Sequence, residues 1–148
     1  MKNNFYLHFA TALLIAVLGV TANAQSRNTQ RLQVNVPFGF NVGNAMMPAG
    51  KYNVSIVNPT ASGSVLKISS LDGRSTAMTR TTDIIGWSTA SAKLTFRHYG
   101  TRYFLAQVWM ESESTGLATP RSSSEKTLQR QMGKAATNYD VVAVNARQ

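Results

Sequence analysis

Arginine and aromatic side chains gather around Gly100, and one further tryptophan precedes them. Guanidinium groups bind carboxylates, sulfates and phosphates, and aromatic rings stack on sugars or bases. An alternative is ordinary cross-strand pairing, in which arginine packs over tyrosine and stabilises the tip of a hairpin. The ligand-binding surface that this pattern predicts consists of Trp87, Arg97, Tyr99, Arg102 and Tyr103.

Catalysis would have to use His98 or the pair Glu111 and Glu113. The two glutamates are two residues apart, so they share one face of a strand end and could form a glycosidase-like acid/base pair. No G-x-S-x-G motif presents a serine beside His98. We therefore expect a structural histidine, a solvated acidic rim and no catalytic residues, with a hydrolase as the alternative.

Metal and cofactor chemistry lacks its usual residues. The chain contains no cysteine and two histidines, whereas zinc and most transition metals need clustered histidine, cysteine or carboxylate ligands. Calcium would have to use Asp72 or Asp83, and neither lies in an aspartate-rich loop. Phosphate-binding, dinucleotide and RNA-recognition motifs are also missing. The sequence predicts no metal, no cofactor and no specific nucleic acid.

The N-terminus has the pattern of a secretory signal. Lys2 precedes the apolar run 10–20, which is short for a membrane span, and Ala22-Asn23-Ala24 provides small residues at a cleavage site. We expect a signal peptide over residues 1–24, followed by a single β-rich domain over 25–148 in the periplasm or the medium. A retained N-terminal anchor is the alternative.

The chain is strongly basic. It has 15 Lys and Arg against 6 Asp and Glu, a formal net charge of +9. In an exported protein this charge favours anionic partners, such as an acidic glycan or another envelope component. The basic residues are scattered, however, so a role of the charge in solubility alone is favoured.

Alternating apolar residues predict extended chain over most of the domain. The segments 32–42 and 51–57 alternate most clearly, with Pro37 either on a sheet edge or at a break. The segment 58–63 has the composition of a turn. The segments 65–69 and 75–79 form a predicted hairpin, for which Asp72-Gly73 fits a type I′ turn.

The segment 81–92 is a Ser/Thr/Ala-rich predicted loop that carries three large apolar residues, Ile84, Ile85 and Trp87. These side chains either plug one end of the core or present an apolar tip to a partner. Plugging is favoured, because exposed Trp and Ile are uncommon without a use.

The segment 93–110 predicts a hairpin with a two-residue type II′ turn at Gly100-Thr101. This register pairs Tyr99 with Arg102. It predicts one face with Leu94, Phe96, His98, Tyr103, Leu105, Gln107 and Trp109, and a second face with Arg97, Tyr99, Arg102, Phe104, Ala106, Val108 and Met110.

A helix is predicted to cover the second face. Ser122-x-x-Glu125 is a capping-box pattern, and Gly133 fits a C-cap. We expect Leu128 and Met132 to pack on Phe104, Val108 or Met110, and a final strand over 139–145. The fold class is therefore mainly β: an antiparallel β-sandwich or partly open β-barrel of seven to eight short strands with one short C-terminal helix packed on it.

Several blocks resemble an uncharacterised family of small exported β-rich proteins of acidobacterial type. The blocks are VPFxFxVG at 36–43, MPAGxYxV at 47–54, DGR at 72–74, LxFxxYG at 94–100, YFL at 103–105, VW at 108–109 and PxSxxE at 120–125. The resemblance covers nearly all of the chain after the signal. It implies an exported β domain and no catalytic residues.

Together these patterns predict an exported, non-enzymatic domain with a binding, adhesion or structural role. The alternative is a small lipocalin-like carrier with the 81–92 loop as its lid. A continuous internal cavity would favour the carrier, and a solid core the first interpretation.

Overall fold

The computed structural model describes residues 31–60, 63–88, 90–133 and 140–147. The predicted signal peptide at 1–24 lies outside these residues and stays a prediction. The described residues form β1 (Arg31–Val36), β2 (Phe40–Val42), β3 (Ala45–Met47), β4 (Gly50–Thr60), β5 (Gly63–Ser70), β6 (Thr76–Ile85), β7 (Lys93–Tyr99), β8 (Arg102–Trp109), β9 (Thr115–Ala118), α1 (Ser123–Met132) and β10 (Asp140–Arg147).

The strands build one sheet in the order β3-β2-β8-β7-β10-β1-β4-β5-β6-β9, and β9 also pairs with β8. All pairings are antiparallel except the contact of β2 with β8 at Asn41 and Phe104. The mainly β fold with one short helix is confirmed. The described strands number ten rather than seven or eight, because the first predicted strand divides in two and the short strands β3 and β9 were not predicted. No helix of the described residues is long and apolar enough to cross a membrane.

The break in the first predicted strand falls at Pro37. β1 is a central strand, paired with β4 on one side and β10 on the other. Proline has no N–H to donate to either neighbour, so regular pairing cannot continue through it. The chain bends over residues 37–39 and resumes as β2, which keeps Phe40 and Val42 buried.

The core is filled by the inward residues of the sheet. The Phe40 ring packs edge-on against Tyr52 and Phe96, with centroids 5.2 and 5.3 Å apart. Phe38 adds a third edge contact with Phe96 at 5.3 Å. These rings lie among the buried aliphatic side chains Leu32, Val34, Val36, Val54, Leu66, Ile68, Leu94, Leu105 and Val108. These contacts form a packed core among the described residues.

Two predicted turns differ from the structure. Strand β4 continues to Thr60 with a register shift after Val57, so the predicted turn 58–63 is wrong over most of its length. The Asp72-Gly73 turn is not type I′, because Gly73 has positive φ (74°) and Asp72 does not. Instead, a wider loop forms in which the Gly73 N–H donates to the Ser70 carbonyl at 3.0 Å.

The hairpin of β7 and β8 has the predicted turn and the predicted register at its tip. Gly100 has the positive φ (59°) that the first position of a type II′ turn requires, and Tyr99 lies opposite Arg102. Further from the tip, Phe96 lies opposite Leu105 whereas Thr95 lies opposite Gln107. The strand β8 therefore contains a bulge between Leu105 and Gln107. A bulge adds one residue to one strand, so all residues beyond it change face.

This bulge overturns the predicted faces of the second half of β8. Val108 and Met110 enter the core. Gln107 and Trp109 turn outward, opposite Thr95 and Lys93. The prediction of Gln107 and Trp109 on the face of Leu94 is therefore wrong.

Helix α1 begins and ends at the predicted caps. The Ser122 hydroxyl accepts a hydrogen bond from the Glu125 N–H at 3.2 Å, and Gly133 ends the helix with φ of 54°. Leu128 and Met132 are half-buried. Their predicted packing on Phe104, Val108 or Met110 stays a prediction.

Candidate binding groove

The bulge places two rows of side chains on the outer face of the sheet, across β7, β8, β9 and β6. One row runs from Lys93 through Trp109 and Gly116 to Ile84, and the other contains Thr95 and Gln107. A groove of about 480 Å³ lies over these rows. We call it the Trp109 groove, and its lining residues are Ile84, Ile85, Gly86, Trp87, Ser88, Lys93, Thr95, Gln107 and Trp109.

The Trp109 indole lies across two glycines. A Cβ atom at Gly116 would be 2.7 Å from ring atoms of Trp109, and one at Gly86 would be 2.4 Å from them. Any larger residue at either position would therefore occupy the space of the ring, and both positions need glycine for this close approach. The ring is 8% exposed, and its Nε1–H donates to Oε1 of Gln107 at 2.9 Å. The indole is thus held in one orientation at the groove.

Ile85 and Trp87 stand out from the protein surface beside the Trp109 ring. Their exposed fractions are 93% and 90%, so the prediction that they tuck into the core is wrong. The chain is fixed between them, because the Gly86 N–H donates to the Ser114 carbonyl at 2.9 Å. The segment 81–85 belongs to β6 rather than to a loop, which carries these residues to the rim of the groove.

The polar side chains of the groove are Thr95, Gln107, Lys93 and Ser88. The Thr95 hydroxyl is buried and has no hydrogen-bond partner among the described residues. A buried hydroxyl without a partner costs free energy. Lys93 is half-buried and is the charged residue of the lining.

Arg97 and Tyr99, two of the predicted ligand-binding residues, contact helix α1 instead of solvent. Arg97 forms a bidentate ion pair with Glu125, with Nε–Oε1 and Nη2–Oε2 distances of 2.5 and 3.0 Å. The Tyr99 hydroxyl donates to Glu125 Oε1 at 3.0 Å and accepts from Gln129 Nε2 at 3.0 Å. Burial, followed by the hydrogen bond to Glu125, raises the pKa of Tyr99. These four residues, the Glu125 cluster, attach the helix to the sheet.

Arg102 and Tyr103 lie at the tip of the hairpin, at the end opposite to the groove. Arg102 is exposed, with its guanidinium 5.7 Å from the centroid of the Phe104 ring. Tyr103 is half-buried, and its ring stacks on His98 at 4.2 Å and on Phe38 at 4.0 Å. Four residues of β7, 96–99, lie between Thr95 in the groove and the turn at Gly100, a distance of about 16 Å at 3.3 Å per residue. The structure therefore does not bring Trp87 together with the other four predicted residues.

The side chains considered for catalysis, His98 and the two glutamates, lie in different elements of the structure. His98 is half-buried in the ring stack with Tyr103. Glu111 and Glu113 are exposed in the turn between β8 and β9. Within the described ranges, no group of three His, Cys, Asp or Glu side chains is arranged to hold a metal ion.

Sequence reasoning found Trp87 but missed the residues that accompany it in the groove. Lys93, Thr95, Gln107 and Trp109 were not predicted as a site, because the bulge that gathers them leaves no mark in the alternation of the sequence. The available signal was Gly86, a glycine between the two large apolar residues Ile85 and Trp87.

No protein-family model, curated protein or solved structure matches this chain. The resemblance to exported proteins of acidobacterial type therefore stays a prediction.

Proposed function

We propose that this protein is an exported, non-enzymatic binding domain and that the Trp109 groove is its binding site. One observation carries the proposal: Ile85 and Trp87 are almost fully exposed at the rim of a groove whose floor holds the fixed indole of Trp109. Apolar grooves with a few polar groups are the usual form of ligand sites. The predicted signal peptide supports the export.

The distribution of exposed apolar side chains supports a site at this position. Met46 in β3, Leu71 after β5 and Met78 in β6 are also exposed, but they do not line this groove, and single exposed apolar residues are normal at protein surfaces. Ile85 and Trp87 are two residues apart and border the same groove. Concentrated apolar exposure of this kind marks an interaction surface.

The packing of aromatic rings in the core supports an external site rather than a carrier with an internal one. Phe40, Tyr52 and Phe96 occupy the core with their rings in contact. In addition, residues 81–85 of the predicted lid are paired strand. The carrier remains as an outcome of the binding test rather than as a second proposal.

Replacing Trp87 by alanine is expected to weaken binding without affecting the fold. Trp87 is 90% exposed, so its loss removes few internal contacts. Stacking on one aromatic ring contributes about 1–3 kcal/mol, which is about a 5- to 150-fold change in affinity. The measurement is binding of the purified protein to an array of bacterial and plant glycans at two salt concentrations, with fatty acids and peptides as further panels.

Arg102→Ala is the matched control, because Arg102 is exposed at the far end of the same hairpin. We expect this variant to bind as the wild type does. If Arg102→Ala loses binding and Trp87→Ala keeps it, the site is the hairpin tip and the proposal fails. If no ligand of any panel binds, the proposal also fails.

A further inference from the structure

The Thr95 hydroxyl limits the chemistry of what can occupy the groove. Thr95 lines the groove, and its hydroxyl is buried and lacks a partner among the described residues. An acyl chain or an apolar side chain placed there would leave the hydroxyl unpaired, whereas a ligand with its own hydroxyl groups would pair with it. A ligand that removes the cost of the unpaired hydroxyl therefore places a polar group at the floor of the groove.

Trp87 sets a second requirement for the ligand, because a flat, apolar surface is what covers an exposed indole ring best. The ring is 90% exposed, so both of its faces are accessible at the rim. A pyranose ring presents C–H groups on its faces and hydroxyl groups around its edge. It can therefore cover an indole and hydrogen-bond to neighbouring polar side chains at the same time.

Lys93 adds a positive charge to this arrangement. It lies opposite Trp109 in the hairpin register and is the charged member of the groove lining. The whole chain carries a formal net charge of +9, which attracts anions over a longer range. A ligand with an acidic group close to its ring would pair with this ammonium group.

We propose that the Trp109 groove binds an acidic saccharide. A sugar ring covers the Trp87 indole, a sugar hydroxyl hydrogen-bonds to Thr95, and the acidic group pairs with Lys93. This inference rests on the proposed function and names the ligand class of the same site.

The test is calorimetric titration with a tetramer of galacturonic acid and with the methyl ester of the same tetramer. The ester keeps the rings and hydroxyls and removes the charge. We expect the acid to bind about fivefold more tightly than the ester at low salt, as fits a partly exposed ion pair. A sulfated tetramer in a third arm shows whether the acidic group must be a carboxylate.

Two variants separate the two polar contacts. Lys93→Gln should lower the affinity for the acid to that for the ester, while Lys67→Gln, a half-buried lysine outside the groove lining, should leave both affinities unchanged. Thr95→Val should weaken both ligands about two- to tenfold. It should not lower the resistance of the free protein to urea, because an unpaired hydroxyl is replaced by a methyl group of the same shape.

Equal affinities for acid and ester, or equal effects of Lys93→Gln and Lys67→Gln, would overturn the acidic part of the inference. Unchanged binding in Thr95→Val would overturn the hydrogen bond. If no saccharide binds but a peptide or fatty acid does, and Trp87→Ala abolishes that binding, the inference fails while the proposed function stands. If nothing binds in a manner that depends on Trp87, both fail.

Discussion

Glu125→Gln is expected to destabilise the protein by about 3–5 kcal/mol, the usual cost of removing one partner of a buried ion pair. Glu125 is 1% exposed and Arg97 is 11% exposed, so the substitution leaves a guanidinium with little access to water. The carboxylate also has a favourable position near the helix N-terminus, but that contributes only about 0.3–1 kcal/mol. The lost ion pair therefore dominates. The measurement is the urea midpoint of unfolding, with the slope checked for constancy.

Lys126→Gln is the control, since it removes a charge from the neighbouring, exposed position of the same helix. It should change the free energy of unfolding by less than about 0.5 kcal/mol. The double variant Arg97→Met with Glu125→Met should recover much of the loss, because it removes both charges and keeps apolar volume. Equal urea midpoints for Glu125→Gln and Lys126→Gln would show that the Glu125 cluster does not attach the helix.

Gly116→Ala is expected to cost about 1–3 kcal/mol of stability and to weaken binding at the groove. The added Cβ would lie 2.7–2.8 Å from three atoms of the Trp109 ring, so the indole must move away from β9. The ring is held by its hydrogen bond to Gln107 and by the close approach of Gly86, which limit its movement. Thermal unfolding measures the loss of stability. The near-ultraviolet circular dichroism of tryptophan measures the displacement of the indole that weakens binding.

Gly39→Ala is the matched substitution, because a Cβ there meets its nearest atom, the Met47 carbonyl oxygen, at an ordinary 3.7 Å. We expect it to leave both measurements within experimental error of the wild type. Combining Gly116→Ala with Trp109→Phe should restore part of the lost stability, since the smaller ring leaves room for the methyl group. If the two alanine variants behave alike, the glycine at 116 is not needed for the indole.

The local sequence pattern predicted the strand register correctly at the tip of the hairpin but not at its base. The turn chemistry of Gly100 fixes the register from Tyr99 and Arg102 down to Phe96 and Leu105, and this register was predicted correctly. Beyond that point the bulge shifts the register by one residue. The apolar residues of β8 alternate equally well in both registers, so only contact with the rest of the sheet decides which of Val108 and Trp109 faces inward.

The Glu125 cluster shows a second limit of sequence reasoning. The capping-box pattern correctly located the start of the helix, and Ser122 makes the expected bond. The pattern also implied that the Glu125 side chain folds back onto its own helix. In the structure it pairs with Arg97, which is 28 residues away in sequence. Long-range pairs of this kind depend on how the helix lies on the sheet.

The exposed pair Ile85 and Trp87 shows why the site itself was not predicted. The general tendency of large apolar residues to be buried favoured the core, and a binding surface is an exception to that tendency. The sequence identified Trp87 as a ligand-binding residue but placed it with the arginines of the hairpin tip. Its actual neighbours, Trp109 and Thr95, became visible only with the strand pairing of the structure.

The most direct test of the groove as the binding site is acrylamide quenching of tryptophan fluorescence, with and without a saturating glycan from the array. The chain has two tryptophans, and both line the groove. Since Trp87 is 90% exposed and Trp109 is 8% exposed, quenching in the free protein reports mainly on Trp87. We predict that the bound glycan lowers the quenching constant strongly. A glycan that binds by calorimetry and leaves the quenching constant unchanged would contradict the assignment of the site to the Trp109 groove.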